Sequence, residues 1–152
     1  MRRRGVRLFA QKSAFFTVLR PFFSSFLEWK IVSRMDNPLA PCPGTPNCER
    51  ESRAFPAHAP DALFEKAQDA LGALGPARLT LGDGSSDGNL RRVDAVFRVA
   101  LIFNDDVAVA VTPGEEGGAV LHIRSASRVG KSDLGVNRRR VKRFFRALQE
   151  AR

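Results

Sequence analysis

The stretch VLHIRSASRVGKSDLGVNRRRVKRFFRAL, residues 120 to 148, decides the fold, because its hydrophobic period changes partway along. Val120, Leu121 and Ile123 are apolar and largely β-branched, which is typical of a strand that continues to Arg128. After a loop with two glycines, apolar residues recur at positions i, i+3, i+4 and i+7, as on one face of an amphipathic helix. These four residues are Val141, Phe144, Phe145 and Leu148. The segment therefore predicts a strand, a loop and a final helix.

Alternation along this strand predicts the direction of each polar side chain. Arg124 and Arg128 should lie on one face, whereas Ser125 and Ser127 should lie on the opposite face, which also carries Ile123. Polar side chains of the last strand therefore divide between two faces.

The start of the final helix should be marked by Asn137, which is predicted as its N-cap. Val136 and Val141 would then occupy the two positions of a hydrophobic staple. Gly130 and Gly135 enclose the loop and permit positive φ angles.

Three separated motifs resemble a known family. They are CPGTPNC at residues 42–48, NDDV at residues 104–107 and RSASRVGKSDLGVNR at residues 124–138. In this order they resemble the family catalogued as domain of unknown function 1499, over about Cys42 to the C-terminus. The resemblance implies no particular activity, since the family has none assigned. It implies a bacterial protein, and the membrane or export segment that often precedes such domains favours association with the cell envelope.

The rest of the chain predicts one helix and several strands before the last strand. A helix is expected over Asp61 to Leu74, with Gly75 and Pro76 ending it. Strands are expected over 78–81, 90–103 and 107–111, with turns at Asn104-Asp105 and at 113–118. Strands joined by short turns indicate an antiparallel meander, and two amphipathic helices need one of its faces to bury their apolar stripes. We therefore predict a two-layer α+β domain, with an antiparallel sheet of about four strands and an N-terminal and a C-terminal helix on one face.

The first 35 residues differ from the rest and are predicted to be a separate extension. Residues 1–34 hold eight of the 25 basic residues, one acidic residue, six of the 12 Phe and the single Trp, so their net charge is +7 against +9 for the whole chain. Such a segment fits a targeting peptide, a membrane-surface contact or an extension from a misassigned start codon. No uncharged run approaches the roughly 18 residues of a spanning helix. The expected location is cytoplasmic or peripheral to the membrane, or periplasmic if the segment is an export signal.

A proline-rich arm with both cysteines should follow at residues 36–59, and the α+β core should occupy residues 60–152. Cys42 and Cys48 fit neither a zinc knuckle nor a thioredoxin-type pair by their spacing. A small disulfide ring is expected in an exported domain and two thiols in a cytosolic one. A zinc site with His58 and His122 is the remaining alternative. No metal or other cofactor is expected.

The region Arg124 to Arg140 is the candidate site, because it is dense in cations and hydroxyl groups. The residues proposed to bind a ligand are Arg124, Ser125, Ser127, Arg128, Lys131, Asp133 and Arg138. As catalytic groups they are poorly supported, since no histidine lies near the serines and no phosphate loop or nucleophile elbow occurs. A purely structural alternative pairs Arg124 and Arg128 with Asp94, Asp105 or Asp106 on neighbouring strands.

The function expected from these residues is that of a non-enzymatic binding or accessory module. Its partner would be an anionic small molecule, a lipid headgroup or a protein, and the alternative is a small enzyme acting on an anionic substrate. Specific nucleic-acid binding is not expected, because no recognised motif occurs and the chain after residue 34 has a net charge of only +2.

Overall fold

A computed structural model of the protein describes residues 37–85, 88–99 and 103–151. The strands are β1 (Cys48–Phe55), β2 (Arg78–Leu81), β3 (Arg91–Val99), β4 (Phe103–Pro113) and β5 (Ala119–Ser127). The helices are α1 (Pro60–Ala73) and α2 (Val136–Glu150), and a short 3-10 turn at Glu115–Gly117 joins β4 to β5. The predictions for residues 1–35, and the assignment of Leu101 to a strand, lie outside the described residues.

The five strands form one antiparallel sheet in the order β1-β5-β4-β3-β2. From β2 to β5 each strand pairs with the next along the chain, which confirms the predicted meander. β1 pairs with the outer edge of β5, from Cys48 opposite Ala126 to Phe55 opposite Ala119. β1 and β2 are therefore the two edges of the sheet.

Both helices pack on one face of the sheet, called the helix face below, and this confirms the two-layer α+β architecture. The apolar stripes of the two helices behave as the sequence predicts, because Leu63 and Leu71 of α1 and Phe144 and Leu148 of α2 are buried. They join one core with inward residues of β3, β4 and β5, among them Val93, Val109 and Ile123. Within the described residues, no helix is long and apolar enough to cross a bilayer.

The opposite side of the sheet, called the outer face, is covered at one end by the arm that precedes β1. Two main-chain carbonyls of the arm, those of Asn37 and Leu39, accept hydrogen bonds from the guanidinium of Arg50 at 2.8 and 2.9 Å. Asn37 Nδ2 also donates to Ser52 Oγ at 2.9 Å, and Leu39 is buried. The arm therefore lies over β1 at this end of the outer face.

The prediction of about four strands was wrong by one, because β1 lies within the region predicted to be only an extended arm. Its sequence, CERESRAF, has polar residues on both faces and so lacks the hydrophobic alternation of the other strands. Glu49, Glu51 and Arg53 at an edge are the kind of charged side chains that protect a sheet from pairing with another chain. The prolines near this segment favour an extended arm, and this local signal was stronger than any pattern typical of a strand.

The predicted turn at Asn104-Asp105 was also wrong, since both residues lie in β4. The chain reverses between Val99 and Phe103, which are opposite each other in the register of β3 and β4. Asn-Asp favours turns by local propensity. Here the tertiary structure overrides that propensity, because Asp105 forms a buried ion pair with Arg140 on the helix face.

Cys42 and Cys48 form a disulfide with Cα atoms 5.7 Å apart, which decides between the three alternatives left open by the sequence. Both sulfur atoms are used in this bond, so the thiolates needed for a zinc site with His58 and His122 are absent. The ring links the arm to the first residue of β1.

Candidate functional site

The seven residues predicted to bind a ligand fall into three groups in the structure. Two lie on the outer face (Arg124 and Arg128), two on the helix face (Ser125 and Ser127), and three in the loop after β5 or at the start of α2 (Lys131, Asp133 and Arg138). The predicted alternation of arginines and serines is confirmed. Each group has its own surroundings and its own chemistry.

On the helix face, the serines belong to a buried polar network centred on Arg140. Arg140 Nη2 donates to Asp105 Oδ2 at 2.8 Å, and its Nη1 donates to Ser125 Oγ at 2.9 Å and to Asn137 Oδ1 at 2.8 Å. The guanidinium carbon lies 4.7 Å from the ring centre of Phe97, within the range of a cation–π contact. Arg140 is 8% exposed and Asp105 is 2% exposed, so both charges are removed from water and compensated by each other.

The same network fastens the disulfide ring to the sheet and to α2. Asn137 Nδ2 donates to the main-chain oxygen of Asn47 and to Ser127 Oγ, each at 3.0 Å. Asn47 Nδ2 donates in turn to the main-chain oxygen of Gly130 at 2.7 Å. All three motifs found in the sequence therefore meet here, one through Asn47, one through Asp105 and one through the β5–α2 segment.

The sequence analysis missed Asn47, Asp105 and Arg140 as parts of this network. Two signals were present in the sequence. Asp105 precedes Val107 by two positions and so belongs to the inward side of β4. Arg140 follows Asn137 by three positions and precedes Phe144 by four, which places all three along one side of α2.

The N-terminus of α2 is closed by Asp133, and the prediction that Asn137 is the N-cap was wrong. Gly135, with φ of 76°, occupies the cap position, and Asn137 lies inside the first turn with its side chain in the buried network. Asp133 Oδ2 accepts from the Asn137 N–H at 2.6 Å and Oδ1 from the Gly135 N–H at 2.9 Å. Val136 and Val141 therefore do not occupy staple positions.

Asp133 remains a charged, capping carboxylate. Partial burial raises the pKa of Asp133, but the hydrogen bonds from the backbone N–H groups of Asn137 and Gly135 outweigh burial, so the pKa lies below its ordinary value. A carboxyl group held in this state is a poor proton donor near neutral pH.

On the outer face, Arg124 lines a groove that runs across β2, β3, β4 and β5. The volume of the groove is about 320 Å³. Its wall and floor include the side chains Arg78, Thr80, Arg92, Asp94, Val96, Asp106, Ala108 and Arg124. Strands spaced by about 4.8 Å make the groove roughly 14 Å wide from β2 to β5. Ala108 lies directly between Asp94 and Arg124 in the strand register, which keeps the centre of the floor low.

The two carboxylates of this groove already have cationic partners. Arg92 donates through Nε and Nη2 to Asp94 Oδ1 at 3.1 and 2.8 Å. Arg128 forms a forked contact with Asp106, with its Nη2 at 2.8 Å from Oδ1 and its Nε at 2.9 Å from Oδ2. The hydrogen bond to Asp106, with the charge of that carboxylate, raises the pKa of Arg128. Arg128 therefore forms one of the pairs that the structural alternative predicts, with Asp106 on the neighbouring strand.

Arg124 has no such partner in the part of the chain that the structure describes. Its Nε is buried and makes no hydrogen bond there, and no carboxylate lies within ion-pair distance of it. Arg91 also has an unbonded Nε, but its guanidinium pairs with Asp61. Directly opposite Arg124 across the strand pair stands another cation, Arg50.

His122 lies on the outer face but outside the groove, beside the end covered by the arm. It is 1% exposed, with Nδ1 2.9 Å from Ser52 Oγ and Nε2 3.1 Å from Thr112 Oγ1. Burial, followed by the charge of Arg50, lowers the pKa of His122 to about 4, so the ring is neutral near pH 7. His122 is therefore a buried strand residue whose two ring nitrogens both lie within hydrogen-bond distance of hydroxyl groups.

Lys131 in the loop after β5 and Arg138 in the first turn of α2 are exposed. Arg138 Nε lies 3.6 Å from Glu49 Oε2 at the edge of the helix face. No group of three or more His, Cys, Asp or Glu residues close enough to hold a metal ion occurs within residues 37–85, 88–99 and 103–151.

Comparison with known proteins identifies the family. A family model described as protein of unknown function (DUF1499) matches residues 38–148, so the chain belongs to that family. No curated protein is similar enough to count as a match. Among solved structures, protein CV1439 from Chromobacterium violaceum is 14% identical over 68% of this chain and 95% of its own, with a TM-score of 0.44. Ara h 8.0201 is 12% identical over the same shares of the two chains, with a TM-score of 0.32.

Proposed function

We propose that this DUF1499 protein is a non-enzymatic binding module that recognises an anionic ligand in the outer-face groove, with Arg124 as the central contact. The observation that carries the proposal is the uncompensated charge of Arg124. Arg92, which lines the groove, and Arg128, which borders it, each have a carboxylate partner, whereas Arg124 has none among the described residues. An anion bound in the groove would supply the missing partner.

The placement of Arg124 costs stability in the absence of a ligand. Like charges directly opposite on paired strands repel, and Arg50 is directly opposite Arg124. A buried donor nitrogen without a partner adds a further cost. Residues that lower stability without structural benefit are commonly kept for binding or catalysis. Arg50 itself donates to two main-chain carbonyls of the arm, which hold its guanidinium on the strand next to Arg124.

The size of the groove suits a small organic anion. A volume of about 320 Å³ is at the lower end of the range for ligand pockets. Arg78 on β2 is a second cation without a described ion pair, on the far wall from Arg124. Between the two cations lie Thr80 and the paired carboxylates, which can accept hydrogen bonds from hydroxyl groups of a ligand.

Support for the alternative, a small enzyme at the predicted residues, is weaker. The two serines are hydrogen-bonded inside the buried network, and neither has a histidine partner there. Asp133 caps α2 and its pKa is lowered, whereas a general acid needs a raised one. We therefore assign Ser125, Ser127 and Asp133 to the architecture and Arg124 to recognition, whereas Arg128 pairs with Asp106 at the border of the groove.

Thermal denaturation of the full chain with added anions tests the proposal. Inorganic phosphate, citrate and glucose 6-phosphate would be titrated at constant ionic strength against wild type, Arg124→Gln and the control Arg98→Gln. Arg98 is an exposed arginine on β3 that does not line the groove, so its substitution removes the same charge outside the proposed site. We expect at least one anion to raise the melting temperature of wild type and the control but not of Arg124→Gln. An equal shift in all three proteins would contradict the proposed site.

A further inference from the structure

We infer that a second surface, formed by the loop after β5 and the solvent side of α2, docks on an anionic lipid bilayer. This surface, called the basic surface, is independent of the groove proposed above. Its cations are Arg138, Arg139, Lys142, Arg143 and Arg146 on α2, with Lys131 in the loop, and its exposed apolar residues are Val129 and Leu134. It includes Lys131 and Arg138, two predicted site residues that belong neither to the groove nor to the buried network.

The five helical cations lie on one side of α2. An α-helix turns by about 100° per residue, so positions 138, 139, 142, 143 and 146 fall within an arc of roughly 140° around the helix axis. The opposite side of the helix is the buried stripe that includes Phe144 and Leu148, so the cations are directed away from the core. Between Leu134 and Gln149 the sequence has no acidic residue.

Most of these charges are not neutralised within the described part of the protein. Arg138 has Glu49 at 3.6 Å, and Arg139 Nη1 donates to the main-chain oxygen of Leu134 at 3.0 Å. Lys142, Arg143 and Arg146 have no ion pair there. The basic surface therefore has a positive electrostatic potential throughout, which attracts a partner that presents many negative charges together.

The apolar part of the surface indicates the kind of partner. Leu134 is 86% exposed and Val129 is 55% exposed, and both lie in the short loop that leads into the basic helix. Leu134 also has a φ of 54°, a conformation that costs free energy in a residue other than glycine. Core packing does not explain this residue, because its side chain is almost fully in water.

An anionic bilayer satisfies both halves of this surface. Lysine and arginine side chains meet lipid phosphate and carboxylate groups, while an adjacent leucine and valine enter the boundary between headgroups and acyl chains. Nucleic acid would use the cations but would leave Leu134 and Val129 in water, and free phosphate would engage one or two cations only. The chemistry of the surface therefore favours lipid over both.

Vesicle sedimentation of the full chain tests this inference. The probes are vesicles of phosphatidylcholine alone and vesicles with about one third phosphatidylglycerol, at about 0.1 M salt. We expect binding to the acidic vesicles only, with a partition coefficient at least tenfold lower for Arg143→Glu, because each basic residue contributes about fivefold to such binding. Arg98→Glu is the matched control, since Arg98 is exposed on the outer face of β3, on the other side of the sheet from α2, and it should retain binding within about twofold.

A second variant separates lipid from other anionic partners. Leu134→Ser leaves the charge unchanged and should weaken vesicle binding several-fold, because it removes the side chain expected to enter the bilayer. Since every variant keeps residues 1–34, binding through that basic segment would be insensitive to both Arg143→Glu and Leu134→Ser, and that result would overturn the inference. Failure of the wild type to bind acidic vesicles would also overturn the inference. So would a combined result in which 10 mM inorganic phosphate or a DNA duplex displaced the protein from acidic vesicles and Leu134→Ser bound those vesicles like wild type. The groove is tested separately, by comparing how much added anions raise the melting temperature of wild type and of Arg124→Gln.

Discussion

Arg124 and Ser125 are adjacent on β5 but lie on opposite faces of the sheet, and the polar groups on the two faces differ in whether they have partners. On the helix face, Ser125 belongs to a network in which the buried charges of Arg140 and Asp105 compensate each other and the neighbouring hydroxyl and amide groups have partners. On the outer face, Arg124 has a buried nitrogen that makes no hydrogen bond within the described part of the chain, and another arginine lies opposite it. One sequence motif therefore combines a half whose buried charges are compensated with a half whose arginine has no carboxylate partner among the described residues.

The comparison predicts that the largest loss of stability follows from breaking the buried ion pair. Arg140→Ala leaves the carboxylate of Asp105, which is 2% exposed, without a cation. Removing one partner of such a pair costs about 3–5 kcal/mol of unfolding free energy. Urea denaturation of the wild type and the variant measures the difference.

A double variant checks the physical reason. Arg140→Met with Asp105→Leu removes both charges, so its cost should be well below the sum of the two single substitutions. Additive losses would show that the two charges do not depend on each other and would weaken the contrast between the faces.

A smaller loss is expected when the buried histidine at the covered end of the outer face is charged. The folded-state pKa of His122 is about 4, below the value of about 6.5 in an unfolded chain. The unfolded state therefore binds the proton first as pH falls, and stability that is fully present above pH 6.5 is lost as the pH falls towards 4. Over this whole pH range, protonation of His122 should lower the unfolding free energy by about 3 kcal/mol.

Unfolding free energies of wild type and His122→Gln at several pH values between 7.5 and 4.5 isolate this contribution, because the carboxylates are common to both proteins. Wild type should lose more stability than the variant over this range. Parallel pH profiles would mean that His122 titrates alike in the folded and unfolded states.

The disulfide ring should contribute less than either of these features. The ring closed by Cys42 and Cys48 is short, and a loop of this size gives about 2 kcal/mol by restriction of the unfolded chain. Cys42→Ser with Cys48→Ser should lower the unfolding free energy by this amount. Because the backbone N–H of Ser127 donates to the main-chain oxygen of Asn47 in the ring, faster amide hydrogen exchange should follow at Ser127. Unchanged exchange there would show that the network holds without the ring.

Sequence alone predicted the elements whose hydrophobic period is strong. The stripe from Val141 to Leu148 and the inward valines of β4 lie where the pattern placed them, and so do the opposed directions of Arg124 and Ser125. Hydrophobic period identifies a face but does not say which polar residues meet across it.

The parts that sequence did not predict depend on partners distant along the chain. Asp105 lies in a strand despite its turn propensity because its carboxylate pairs with Arg140. The two residues are 35 positions apart in sequence, and Arg140 Nη2 lies 2.8 Å from Asp105 Oδ2. Asn137 is drawn into the core by Asn47, and Asp133 then closes the helix in its place. β1 has no apolar alternation of its own and is defined by its pairing with β5.

The smallest effect is expected for Arg124→Gln, and it tests the outer half of the comparison directly. If Arg124 is uncompensated, its removal relieves the repulsion from Arg50 and leaves no carboxylate unpaired, so the unfolding free energy should change by less than about 0.5 kcal/mol or rise. Glutamine keeps a polar side chain above Ala108, which limits the change in packing on the floor of the groove. Chemical denaturation in buffer without multivalent anions gives the value. A loss well above 1 kcal/mol would show that Arg124 has a stabilising partner after all, and the two faces of β5 would then differ in burial but not in the use of their charges.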